Sequence, residues 1–134
     1  GRMATTFLAP IFGGSAASFV LVNQRTGGTV ADRLLPAFSS NTRRTGLLKH
    51  TGLGNGEAMI IAPSNAIHTW FMKFDIDVAF VNRQGDIVKV REAMGPWRMS
   101  AAFSAFAVIE LASGALAARD TRSGDRLVLA NRHA

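Results

Sequence analysis

The feature that most constrains this chain is the spacing of its short apolar runs. Phe19–Val22, Val30–Leu35, Glu57–Ala62, His68–Lys73, Ile76–Val81, Ile87–Val90, Phe106–Leu111 and Arg126–Leu129 are each four to six residues long. Clusters of Gly, Pro, Asn, Asp and Ser separate them. Runs this short, bounded by turn residues and rich in Val, Ile and Phe, read as strands and not as helices. Thr26-Gly27-Gly28-Thr29 and Asn82-Arg83-Gln84-Gly85-Asp86 have the chemistry of hairpin turns, and Ser123-Gly124-Asp125 turns the chain into the last strand. Asn41 to Leu48 is the one clear helical segment: Ser40 or Asn41 can cap it, and Leu47 and Leu48 give it an apolar face. Gly52, Gly54 and Gly56 forbid its extension, Gly95-Pro96-Trp97-Arg98 excludes regular structure, and Gly114 to Ala118 reads as a short helix or turn. The predicted fold is mainly β: an antiparallel sandwich or partly closed barrel of about eight short strands with one or two short helices.

A length of 134 residues allows one domain. With 48% hydrophobic and 18% charged residues, the chain is not a disordered tail. No cysteine is present, which excludes disulfides, thiolate-bound metals and thiol catalysis. The net charge of +6 comes mostly from arginine. Only Arg43 and Arg44 are adjacent, and the scatter of the rest predicts a solvated basic surface. Nucleic-acid binding would need clustered cations with aromatic platforms between them.

The globular domain is predicted over residues 19–130, preceded by an irregular arm over 1–18. Gly1-Arg2 ahead of Met3 reads as an expression remnant. Residues 3–18 also admit a leader remnant, with Phe7 to Phe12 as its short apolar core. The cytoplasm is the favoured compartment, and export or the periplasm follows if that segment is a leader. Pro10 and Gly13-Gly14 break the stretch, and Glu110 interrupts the other apolar run, so no membrane span is expected.

Strand alternation puts His68, Trp70 and Met72 on one face, a titratable ring beside an aromatic plate and a thioether. Asp75 and Asp77 share a face about 6.6–7 Å apart along the strand, with Ile76, Val78 and Phe80 opposite them as core. Paired carboxylates at that distance suit a hard cation or acid–base hydrolysis. An ion pair from one of these aspartates to Arg98 or Lys73 is the simpler expectation. Glu110 lies between Ile109 and Leu111, where it is either exposed on the outer face or buried and paired; a buried, unpaired carboxylate would be costly and would mark a site. The three histidines, His50, His68 and His133, are far apart and form no metal-binding spacing. No Gly-x-Ser-x-Gly elbow or phosphate loop exists, and the sequence calls for no metal and no cofactor.

The middle of the chain carries a family resemblance. His68-Thr69-Trp70-Phe71-Met72-Lys73-Phe74-Asp75-Ile76-Asp77-Val78-Ala79-Phe80-Val81 resembles the hallmark segment of the uncharacterised prokaryotic domain of unknown function 192 family. Arg43-Arg44-Thr45-Gly46-Leu47-Leu48 is similar to its upstream block, and Gly85-Asp86-Ile87-Val88 to its following hairpin. Pro96-Trp97-Arg98, Val108-Ile109-Glu110-Leu111 and Gly124-Asp125-Arg126-Leu127 resemble its C-terminal half. His50 stands where an Arg is common in that family. The resemblance implies a compact, mainly β domain and assigns no activity.

The residues favour a non-catalytic module that binds a small molecule or peptide. The candidate site gathers His68, Trp70, Trp97, Arg98, Asp77 and Glu110 in one concavity. A hydrolase using Asp77, Glu110 or His68 is the alternative, and a nucleic-acid or transcription-related module ranks after it.

Overall fold

The computed structural model describes residues 5–46 and 50–133. Among these, helix α1 (Ala9–Phe12) and a 3₁₀ turn (Ala16–Ser18) precede strands β1 (Phe19–Asn23), β2 (Thr29–Ala31) and β3 (Arg33–Ala37). Helix α2 (Ser40–Thr45), β4 (Glu57–Ile61), β5 (Ala66–His68), β6 (Ile76–Val81) and β7 (Ile87–Met94) follow. Strands β8 (Met99–Ala101) and β9 (Ala107–Ala112), helix α3 (Ala115–Ala118) and β10 (Leu127–Asn131) complete the chain. The expected mainly β architecture is present. Ten strands form a five-stranded sheet in the order β3-β4-β9-β6-β7, a three-stranded sheet β10-β1-β2 and a two-stranded ribbon β5-β8. One pair, β3 with β4, is parallel, because α2 and the glycine-rich segment return the chain to the start of the sheet before β4 begins.

The central sheet is covered on both faces. Ala107, Ile109 and Leu111 of β9 pack with Ala79 and Val81 of β6, Ala58 and Ile60 of β4, and Leu21 and Leu127 of the smaller sheet. Val108 of β9 packs the other way, with Ile76, Val78, Phe80, Met59, Ile61, Met72 and Met94. Ile76, Val78 and Phe80 are therefore core as expected, and the opposite face of β6 is core too: Asp77, Ala79 and Val81 are fully buried. The N-terminal segment belongs to the first layer through Leu8 and Ile11.

Three local readings change. The run Val30–Leu35 is not one strand: it breaks at Asp32 into β2, in the three-stranded sheet, and β3, in the five-stranded sheet. The run His68–Lys73 is not one strand. Pairing with β8 stops at His68, and the chain turns through Trp70-Phe71, with Phe71 at φ 68°. The cause is Thr69, buried between two loops. Its hydroxyl donates to the Gly95 carbonyl at 2.6 Å and accepts from the Arg98 amide at 2.9 Å. Helix α2 is capped by Ser39, not Ser40 or Asn41, in a reciprocal box with Thr42. Its expected apolar residues Leu47 and Leu48 lie outside the described residues.

Arginine is also less free than a solvated basic surface implies. Arg25 holds Asp125 through Nε at 2.7 Å, Arg126 holds Asp86 at 2.7 Å, and Arg132 donates to the carbonyls of Ala17 and Asp32. In the β6–β7 hairpin Gly85 has φ 93°, and a Cβ there would run into the Leu127 carbonyl, so the turn requires glycine.

Phe80 is fully buried in the second layer. Phe80→Ala is expected to cost about 3–5 kcal/mol in urea unfolding, from lost transfer energy plus the cavity left behind. A loss below about 1 kcal/mol would contradict this packing.

Candidate functional site

Register decides where the acidic side chains go. Glu110 pairs with Val78 on β6 and Met59 on β4, and directly opposite residues share a face. Glu110 therefore belongs to the layer of Val78, Met59 and Val108. Asp77 pairs with Leu111 and belongs to the other layer. The two carboxylates lie on opposite faces of the sheet and do not converge.

Asp77 is not ion-paired with Arg98 or Lys73. One of its oxygens accepts the Ala93 amide at 2.9 Å and the other the Leu116 amide at 3.0 Å. Two backbone donors satisfy the charge, fix Ala93 at φ 48° in β7 and hold the start of α3. Asp75, expected to share its face on a strand, precedes β6 and is exposed.

Glu110 is the opposite case. It is 3% exposed, and its carboxyl has no hydrogen-bond or ion-pair partner among the described residues. Burial pushes its pKa up from 4.5 to about 7. The carboxyl faces a cavity of about 170 Å³. Ile61, Ile67 and Met72 give this cavity apolar walls, and Arg43, Arg44, Thr45 and Gly46 at the end of α2 form part of its lining. Among the described residues, Ser64 and His68 are the other polar side chains of the lining. The Ser64 hydroxyl is already committed to the Ala66 carbonyl at 3.0 Å, and Arg43 donates to the Phe38 carbonyl at 2.7 Å. Arg44 makes no hydrogen bond or ion pair among the described residues. The two arginines sit in the last turn of α2, where cations offset its unpaired carbonyls.

Of the residues expected to share one concavity, His68 and Glu110 line this one. Trp70 borders it through His68, the two rings lying 4.8 Å apart. Trp97 and Arg98 are not in its lining. The Trp97 ring packs instead edge-on against Phe71 at 4.8 Å, and both stand exposed on positive-φ residues. Among the described residues no three His, Cys, Asp or Glu gather to hold a metal ion. Arg43, Arg44 and Ser64 were missed as site residues by spacing alone. Their one signal in the sequence was the adjacent pair of arginines in the Arg-Arg-Thr-Gly block.

The structure thus defines a small mainly β domain with a cavity of about 170 Å³ on one face of its central sheet. Residues 22–129 match the model of DUF192, described as an uncharacterized ACR, and the chain belongs to that family. No curated protein matches the sequence. A "putative transcription regulator" from Sinorhizobium meliloti 1021 shares the fold with a TM-score of 0.72 and 19% identity, over 83% of this chain and 91% of that one. A protein of unknown function from Novosphingobium aromaticivorans DSM 12444 does so with a TM-score of 0.65 and 21% identity, over 81% of each chain. At these identities the likeness is one of fold. No helix among the described residues is long and apolar enough to cross a membrane.

Asp77→Asn replaces one accepting oxygen with a donor that faces a backbone amide. It is expected to destabilise the domain by about 1–3 kcal/mol, an unsatisfied buried group's cost. Unfolding by denaturant tests this, and an unchanged midpoint would mean that the two amides are not what holds the carboxylate.

Proposed function

We propose that this protein is a non-catalytic binding module whose site is the cavity between β9, β5 and the end of α2. The observation that carries this reading is the unpartnered Glu110 carboxyl facing open space inside an otherwise apolar layer. A fold with no use for that group would be more stable with an apolar side chain there. A cavity of about 170 Å³ is comparable to one that takes a benzene-sized guest. The hydrolase alternative has less support, because Asp77 lies on the far face with both oxygens engaged and His68 stacks on Trp70. The transcription-related alternative has less support because Arg25 and Arg126 are held by Asp125 and Asp86. The regulator description belongs to the Sinorhizobium neighbour, and 19% identity does not carry it here.

Two measurements test the reading. In a Trp97→Phe protein, Trp70 is the sole tryptophan and reports on the rim through His68. A small-fragment set should contain molecules that change its emission, and Glu110→Gln should abolish the response while the protein stays folded. A folded protein whose Trp70 answers no fragment would overturn the binding role.

The second measurement is stability against pH. A carboxyl whose folded pKa of about 7 exceeds its unfolded 4.5 stabilises the fold fully below pH 4.5. That contribution, on the order of 3 kcal/mol, falls away as the pH rises from 4.5 through 7. The stability difference between the wild type and Glu110→Gln should follow this curve, with the variant the more stable above pH 8. A flat difference would mean that the carboxyl is solvated.

A further inference from the structure

We infer that the ligand of this cavity is a small zwitterion of the amino-acid class, its ammonium on Glu110 and its carboxylate on Arg44. The inference rests on the binding reading above and adds the ligand's chemistry. Two unused polar groups of opposite sign line one cavity. The Glu110 carboxyl stands at the sheet without a partner, and Arg44 lies at the end of α2 without one among the described residues. Ile61, Ile67 and Met72 lie in the same lining, so the part of the ligand joining its two ends is a short aliphatic stretch. The volume allows about six to eight non-hydrogen atoms.

Each end alone is a weak anchor. An amine without an acid leaves Arg44 in water, and an acid without an amine meets Glu110 with nothing to donate. A molecule carrying both ends satisfies both groups and gains from their sum. Among the described residues, Arg43 and His68 are the other charged or titratable groups in the lining. Beside Glu110 in register are the uncharged Met59 and Val78, and Asp77 faces away. Seating an ammonium beside Glu110 favours its ionised form, so binding below the carboxyl's own pKa expels a proton.

The probes are glycine, β-alanine, γ-aminobutyrate and 5-aminovalerate, with butylamine, butyrate and n-butanol as single-ended and neutral controls. Titration calorimetry at pH 6.5 in two buffers of different ionisation enthalpy reads both affinity and proton release. At least one zwitterion is expected to bind tenfold or more tighter than butylamine and butyrate, releasing about 0.7 proton at pH 6.5 and almost none above pH 8. Glu110→Gln should remove the proton release and weaken binding at least tenfold. Arg44→Gln should reduce the zwitterion to the affinity of butylamine while proton release remains, and His68→Asn should leave the release intact.

Butyrate binding as tightly as γ-aminobutyrate would overturn the inference, as would binding without proton release or binding that Glu110→Gln does not weaken. If n-butanol or butylamine binds and is lost in Glu110→Gln while no zwitterion exceeds them, the binding role stands and the zwitterion does not. If no probe binds and no fragment changes Trp70 emission, both fall together.

Discussion

The rest of the structure depends on one constraint: β9 and β6 run through the middle of a sheet that is covered on both faces. Along such strands there is no solvent side, so every side chain must be apolar or find its partners inside the protein. Ala107, Val108, Ile109 and Leu111 obey by being apolar. Asp77 obeys by taking the amides of Ala93 and Leu116, and in doing so ties β7 and α3 to the sheet. Glu110 alone obeys neither way. The two buried carboxylates of adjacent strands thus have opposite meanings. One is a fastening inside the first layer, and the other is a vacant acceptor inside the second.

The strands were legible in the sequence where a run was bounded by turn chemistry. Ile76–Val81 has the limits expected of it, because Asn82 to Asp86 stops it and pairing with both β7 and β9 fills it. Double-sided burial was not legible, because Asp77 made one face of β6 look polar when its partners were backbone amides far away in sequence. Alternation failed at His68–Lys73 for a related reason. The Thr69 hydroxyl clasps Gly95 and Arg98, and no local pattern announces a bond across that distance. Trp70 and Met72, expected side by side, part company there: Met72 enters the core and Trp70 stays 40% exposed. For Glu110 the sequence left exposure or a buried pair open, and the structure shows neither: the register places it beside Val78 and Met59, buried and without a partner among the described residues.

The arginines carry a similar lesson about charge. Asp125 is held well below the usual carboxylate range by Arg25, with help from Asn23 and the Arg122 amide. Arg126 lowers Asp86 in the same direction. Both groups contribute to stability at neutral pH and lose that contribution as acid protonates them. Together they join the β1–β2 turn and the β6–β7 hairpin to the segment before β10, so part of the positive composition is structural. A count of charges therefore overstates what a polyanion would meet. The cations left over matter more by position than by number, and Arg44 beside the Glu110 cavity is such a position.

Glu110 opposes the fold at neutral pH, and that is why it is informative. Glutamine or leucine would fill nearly the same space without the cost of desolvating a charge. Most positions in this chain agree across levels: turn residues sit in turns, β-branched residues in strands, and a capping box starts α2. Among the described residues two buried positions break this agreement: Ser100, with its unpartnered hydroxyl, and Glu110. Glu110 is the one that lies beside a cavity lined by two arginines and a histidine, which is why the proposed site is centred on it. The rise of its pKa to about 7 follows from the same geometry, since burial without a partner is what leaves the carboxyl ready to receive one. A ligand that brings a donor into the cavity supplies the partner the chain withholds. Under the proposed binding role, the stability lost by keeping Glu110 would be returned as binding free energy, and the side chain that weakens the empty domain would select what fills it.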